Sequence, residues 1–204
     1  MSHRISCRCV IFSSLVLVSA SAAADFAPFE FDPTQVNSGA QLTPVEVPAR
    51  FGVEGSTRWQ LLAGYANDFD AAQQGTFGAS VSWFAIDDFS IDMQLDGNYF
   101  SQAGGPAWGL EGALLFRWHF YSTATWSLYA DAGSGMLLTT EPTPTGGTSF
   151  NFTPQAGGGV SFDIATDVRL MLGVRWYHIS NANTGETNPG RNSLMGYAMV
   201  SIPF

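Results

Sequence analysis

From Thr57 onward, apolar and polar side chains alternate with a period of two, over and over. That is the repeat of a β-strand whose two faces meet different surroundings. The clearest stretch is Ala107 to Phe120. Trp108, Leu110, Gly112, Leu114, Phe116, Trp118 and Phe120 fall on one face, while Ala107, Gly109, Glu111, Ala113, Leu115, Arg117 and His119 fall on the other. The same alternation predicts eight strands, at 57–67, 74–86, 88–100, 107–120, 125–137, 149–163, 167–180 and 193–204. In the third, Ile91, Met93, Leu95 and Tyr99 oppose Asp92, Gln94, Asp96 and Asn98. In the seventh, Val168, Leu170, Leu172, Val174 and Trp176 oppose Arg169, Gly173, Arg175 and Tyr177.

The polar face carries both signs of charge, which suits the filled interior of a narrow barrel where carboxylates and guanidiniums pair. The predicted fold is therefore all-β: an eight-stranded antiparallel transmembrane β-barrel over residues 57–204. A soluble β-sandwich is the structural alternative. Connections after strands one, three, five and seven are longer than the others, as external loops are in outer-membrane barrels. The long set is Asn67 to Gln73, Ser101 to Pro106, Leu138 to Ser149 and Asn181 to Asn192. Both chain ends of the barrel then face the periplasm. The terminal Phe204, with Ile202, Val200 and Ala198 at alternate positions, resembles the signal read by the barrel assembly machinery.

Composition sharpens this picture. Charged residues make up 12% of the 204-residue chain and aromatic residues 14%, with 22 glycines and a net charge of −9. Soluble domains carry about twice that charged fraction, whereas membrane barrels match it. An acidic chain without lysine excludes nucleic acid as a partner. Ahead of the strands, Arg4 and Arg8, the apolar run Val10–Val18 and Ser21–Ala24 read as a secretory signal over 1–24. The run is too short to cross a bilayer of roughly 30 Å. Cys7 and Cys9 fall inside the 1–24 signal, ahead of the apolar run, so the exported chain is expected to lack cysteine. Of the eight basic residues it removes two, leaving six against 17 acids, a net of −11. Residues 25–56, with Pro28, Pro33, Pro44 and Pro48, read as an extended lead-in, a plug or a periplasmic arm.

One stretch carries candidate chemistry. His178 and Ser180 continue the outward-facing series of Val174 and Trp176 at the external end of the seventh strand. Two residues apart on one face, an imidazole and a hydroxyl lie within about 7 Å. Polar groups there cost free energy unless they sit near the interface or have partners. Beyond them come Asn181-Ala182-Asn183 and Asn188-Pro189-Gly190-Arg191-Asn192. No metal-ligand grouping appears and nothing suggests a cofactor. His119, with lumen parity at the periplasmic end, reads as structural, and Gly157-Gly158-Gly159 as relief for a crowded interior or a bend.

His-x-Ser-Asn-Ala followed by Asn-Pro-Gly and a last membrane strand resembles the lipid A 3-O-deacylase (PagL-type) family of outer-membrane hydrolases. The resemblance covers His178 to Leu194 in motif and 57–204 in strand plan. It implies a serine esterase site on the lipid-facing wall, with lipopolysaccharide as substrate. Ser180 would be the nucleophile, His178 the general base, and Asn181 an oxyanion-hole residue assisted by backbone amides near Ala182. Where members of the family carry a glutamate that orients the histidine, this chain has Asn192; Glu186, in the same loop, is the other candidate. A non-enzymatic outer-membrane barrel, structural or binding, is the competing reading. A channel is disfavoured because the lumen face is charged.

Overall fold

The computed structural model describes residues 50–69 and 72–204. The expected secretory segment and residues 25–49 of the lead-in lie outside the described residues. The strands are β1 (Thr57–Asn67), β2 (Gln73–Ile86), β3 (Phe89–Ser101), β4 (Ala107–Ser122), β5 (Trp126–Thr139), β6 (Phe150–Phe152), β7 (Gln155–Ala165), β8 (Val168–Ile179) and β9 (Arg191–Pro203). All pairings are antiparallel and between successive staves, and β1 pairs with β9 from Arg58↔Pro203 to Asn67↔Leu194. The sheet thus closes on itself.

β6 and β7 both lie against β5 and form one strand in two pieces, so the barrel has eight staves. The uninterrupted sixth strand expected over 149–163 is corrected here: it breaks at Thr153-Pro154. Pro154 has no N–H to give to the ladder, although its carbonyl still accepts His178 N–H at 3.0 Å. Register shifts fall beside the short turns, at Phe84/Ile86, Trp118/Tyr121 and Asp163/Ala165, where bulges commonly end pairing at a rim.

The alternation sorts side chains as the sequence pattern predicts. Trp108, Leu114, Phe116 and Trp118 line the outer wall, while Glu111 and Arg117 are buried inside. The interior is an ion cluster. Asp131 accepts Arg175 Nε at 3.1 Å and Nη2 at 2.8 Å, and Tyr197 Oη at 3.1 Å. Arg117 contacts Asp92 at 2.7 Å and Asp131 at 3.4 Å. Nearer the long loops, Glu111 accepts hydrogen bonds from Thr153 Oγ1 and Tyr177 Oη, both at 2.6 Å.

At the short-turn end, Phe51 from the lead-in packs against Phe84 and His119, with ring centroids 5.3 and 5.0 Å away. The Arg169 and Arg58 guanidiniums lie 4.1 and 5.1 Å from its ring. His119 itself is buried and its Nδ1 meets Ser127 Oγ at 2.8 Å. The last residue, Phe204, stacks on Trp59 on the outer wall at 5.4 Å.

Glycine decides how the tyrosines fit. Tyr129 and Tyr197 join hydroxyls at 2.9 Å over Gly159 and Gly173. A Cβ at Gly173 would lie 2.4 Å from Tyr197 Cζ, whereas one at Gly112 on the outer wall would meet nothing within 4 Å. Gly173→Val is therefore expected to destabilise the barrel by about 1–3 kcal/mol through overpacking. Gly112→Val should shift stability by no more than about 0.5 kcal/mol. Denaturant unfolding of the refolded barrels in detergent micelles measures both, and equal effects would contradict this packing.

Candidate functional site

The site forms where β8 leaves the sheet and β9 returns. Antiparallel register sets His178 directly opposite Asn192, with Trp176 opposite Leu194 and Ile179 opposite Arg191. Alternation turns Trp176, His178 and Asn192 onto the outer wall, and buries Tyr177, Ile179 and Arg191. The His178 ring stacks on Trp176 with centroids 5.7 Å apart and planes inclined by 20°.

Asn192 Oδ1 lies 2.8 Å from His178 Nδ1 and 3.0 Å from Trp176 Nε1. The hydrogen-bond pattern fixes which amide atom stands there. An indole N–H can only donate, so the atom it meets is the carbonyl oxygen and not the amide nitrogen. That oxygen only accepts, so His178 Nδ1 must carry the ring proton. In the neutral tautomer of this ring Nε2 is the unprotonated nitrogen, which is the form a general base needs. Gly190, at φ +61°, brings the returning chain beside this ring edge: a Cβ there would lie 3.5 Å from His178 Cε1. Its left-handed backbone favours glycine, while the space there would admit a Cβ in ordinary contact.

Ser180 is held by a single antiparallel bridge to Phe152, its N–H donating at 3.1 Å and its carbonyl accepting at 2.7 Å. Its side chain shares the outward parity of His178. Among the described residues the Ser180 hydroxyl enters no hydrogen bond, with His178 or otherwise. Catalytic hydrogen bonds commonly tighten only when substrate is present.

Asn181 is placed otherwise than the resemblance implied. Alternation sends its side chain inward, where it is buried. Its Nδ2 donates to Thr187 O at 2.7 Å and its Oδ1 accepts Asn183 N–H at 3.0 Å. Its side chain is committed to hydrogen bonds that organise the loop. Asn188 braces the same turn, accepting Asn181 N–H at 3.2 Å. Ala182 and Asn183 both have positive φ, 51° and 62°, so the chain reverses at once after Ser180. The Ala182 N–H enters no hydrogen bond among the described residues and is the backbone donor left at this corner. Glu186 is exposed in the loop and does not contact the His178 ring. The contact partner is Asn192, so Glu186 is set aside as the orienting residue.

Sequence reasoning missed the second role of Trp176. Alternation places it on the outer wall but does not report that its indole N–H reaches the Asn192 oxygen. Among the described residues no group of His, Cys, Asp or Glu could hold a metal ion.

The sequence profile of the lipid A 3-O-deacylase (PagL) family matches residues 68–201, more than half of the chain. No curated protein matches. Among solved structures, the outer-membrane enzyme PagL is 23% identical, with a TM-score of 0.51, covering 72% of this chain and 99% of its own. Neisserial surface protein A is 18% identical, with a TM-score of 0.55 and coverages of 72% and 97%. The N-terminal β-barrel domain of Pseudomonas aeruginosa OprF is 14% identical, with a TM-score of 0.54 and coverages of 74% and 98%. At these identities the likenesses show the fold, an outer-membrane barrel. The family profile goes further: this is a bacterial outer-membrane protein, and the chain belongs to the lipid A 3-O-deacylase family.

Proposed function

We propose that the chain is an esterase that removes the ester-linked 3-O-acyl chain of lipid A from within the outer leaflet, by a serine mechanism. The observation that carries this reading is the Asn192–His178 contact on the outer wall, which leaves His178 Nε2 free to take a proton beside Ser180. The site opens sideways, so a lipid reaches it by lateral diffusion.

In the proposed reaction, His178 Nε2 takes the Ser180 hydroxyl proton as Oγ attacks the ester carbonyl. The Ala182 N–H, left without a partner among the described residues, would serve the oxyanion, and such a donor supplies roughly 3–4 kcal/mol. The intermediate collapses, the C–O bond to the sugar breaks, and His178 returns the proton to the departing 3-hydroxyl. Water then repeats the sequence on the acyl-serine and releases the fatty acid. The hydrogen bond to His178 is neutral, so Asn192 orients the ring without the charge a glutamate would add.

One observation favours the second reading, a non-enzymatic barrel. The Ser180 hydroxyl makes no hydrogen bond to His178. Mass spectrometry of lipid A from cells expressing the wild type or Ser180→Ala separates the two. The esterase predicts loss of one 3-hydroxyacyl mass with the wild type only. An unchanged lipid A with wild-type protein present in the membrane would favour the alternative.

Ser180→Ala and His178→Ala are expected to abolish turnover to a similar extent, because nucleophile and base act as one unit. Both should still give a folded, heat-modifiable barrel on gels. Trp176→Phe keeps the ring stack but removes the donor that orients the Asn192 amide. It should lower kcat about tenfold at most, the upper range for one hydrogen bond. Asn192→Glu presents an oxygen in either orientation. It should preserve or raise activity and make it insensitive to Trp176→Phe, as a double-mutant cycle on kcat would reveal.

A further inference from the structure

One residue before Asn192, and on the opposite face of β9, stands Arg191, 7% exposed. Its Nη2 reaches Gln74 Oε1 at 3.4 Å and its guanidinium lies 5.1 Å from the Phe100 ring centroid. Its Nε and Nη1 have no hydrogen-bond partner. A buried charge with unpaired donors is costly unless a ligand completes it. Above Arg191 a cavity of about 520 Å³ opens at the external mouth, bounded by Asp68, Gln102, Thr145, Gly190, Arg191 and Asn192. All four long connections meet there. Gly190 and Asn192 also border the His178 ring, so this cavity and the candidate site share a wall.

The charge balance makes Arg191 stand out. The four long connections carry Asp68, Asp70, Glu141 and Glu186, and Arg191 is their one arginine. An anionic head group approaching this rim is repelled by the acids and has one guanidinium to meet. Asp68 lines the same cavity and accepts Ala72 N–H at 3.0 Å, so an incoming anion shares Arg191 with a carboxylate.

We propose that Arg191 is the anion anchor of the site. It binds a phosphate on the saccharide head group of the lipid substrate over the barrel mouth, while the ester lies at Ser180 on the outer wall. The inference rests on the deacylase reading above and adds a specificity determinant to it. A phosphate supplies acceptor oxygens for the unpaired nitrogens and a charge for the guanidinium. A neutral sugar supplies only the first. The same chemistry could be met by free phosphate, and the test separates the two sources.

The full chain carrying Ser180→Ala, in detergent micelles, is titrated with lipid A bearing its phosphates, with dephosphorylated lipid A, and with inorganic phosphate. The phosphorylated lipid should bind about 10- to 100-fold more tightly than the dephosphorylated one, the range of a charge-assisted contact. Adding Arg191→Gln should bring that ratio to about one, and Arg191→Lys should keep part of it. Equal binding of the two lipids, or an unchanged ratio in Arg191→Gln, overturns the proposal. Inorganic phosphate binding as tightly as the phosphorylated lipid overturns the head-group assignment. The comparison of the two lipids needs no Arg191 variant, so it stands even if one fails to fold. Because binding is read without turnover, a wild type that leaves lipid A intact yet shows this Arg191-dependent preference defeats the deacylase reading alone. Turnover without any phosphate preference defeats the anchor alone.

Discussion

An amide or carbonyl facing hydrocarbon without a partner costs several kcal/mol, and water cannot rescue it. The pairing of β1 with β9 answers that constraint by removing the last free edges of the sheet. Closure, in turn, forces every side chain either in or out. The barrel has no neutral face on which to park a polar group, so the sorting of residues along each strand carries the whole architecture. The charged cluster on Asp131 and the outward line of Trp176, His178 and Ser180 are two products of the same rule.

Inside, an eight-stave barrel leaves little room. Arg117 and Arg175 are held by carboxylates, and their neighbours Gly159 and Gly173 make space for the tyrosine pair. Breaking such a buried pair by removing one partner leaves a charge with no outlet. Phe51 fills the short-turn end beneath this cluster. The middle of the barrel is thus tightly packed and contributes rigidity.

Most of the wall was legible in the sequence because alternation is a strictly local signal. Trp118 and Arg117 needed only the rule that neighbours point to opposite faces. The approach of Asn192 to His178 was legible too, since both stand the same distance from the loop that joins their strands. The break at Pro154 was hidden behind good alternation on both sides: the pattern of faces does not report a missing N–H. Asn181 shows the other limit. The family resemblance implied an oxyanion role for its side chain, but its orientation depends on two consecutive left-handed residues and on the Thr187 carbonyl, and neither leaves a trace in hydrophobic pattern. The clamp from Trp176 was equally invisible, because it depends on the reach of an indole ring across to the next strand.

The outer wall has one more property, which follows from what it touches. A core residue must match neighbours of fixed shape, so a change there propagates. Lipid chains have no fixed shape and refit themselves around whatever the wall presents. Gly112, with open space where its side chain would be, is the plain example. A catalytic group on this surface can therefore be gained, lost or exchanged one residue at a time without repacking the barrel. Asn192, hydrogen-bonded to His178 on this wall, stands on such a surface, and the frame that holds it need not change when it does.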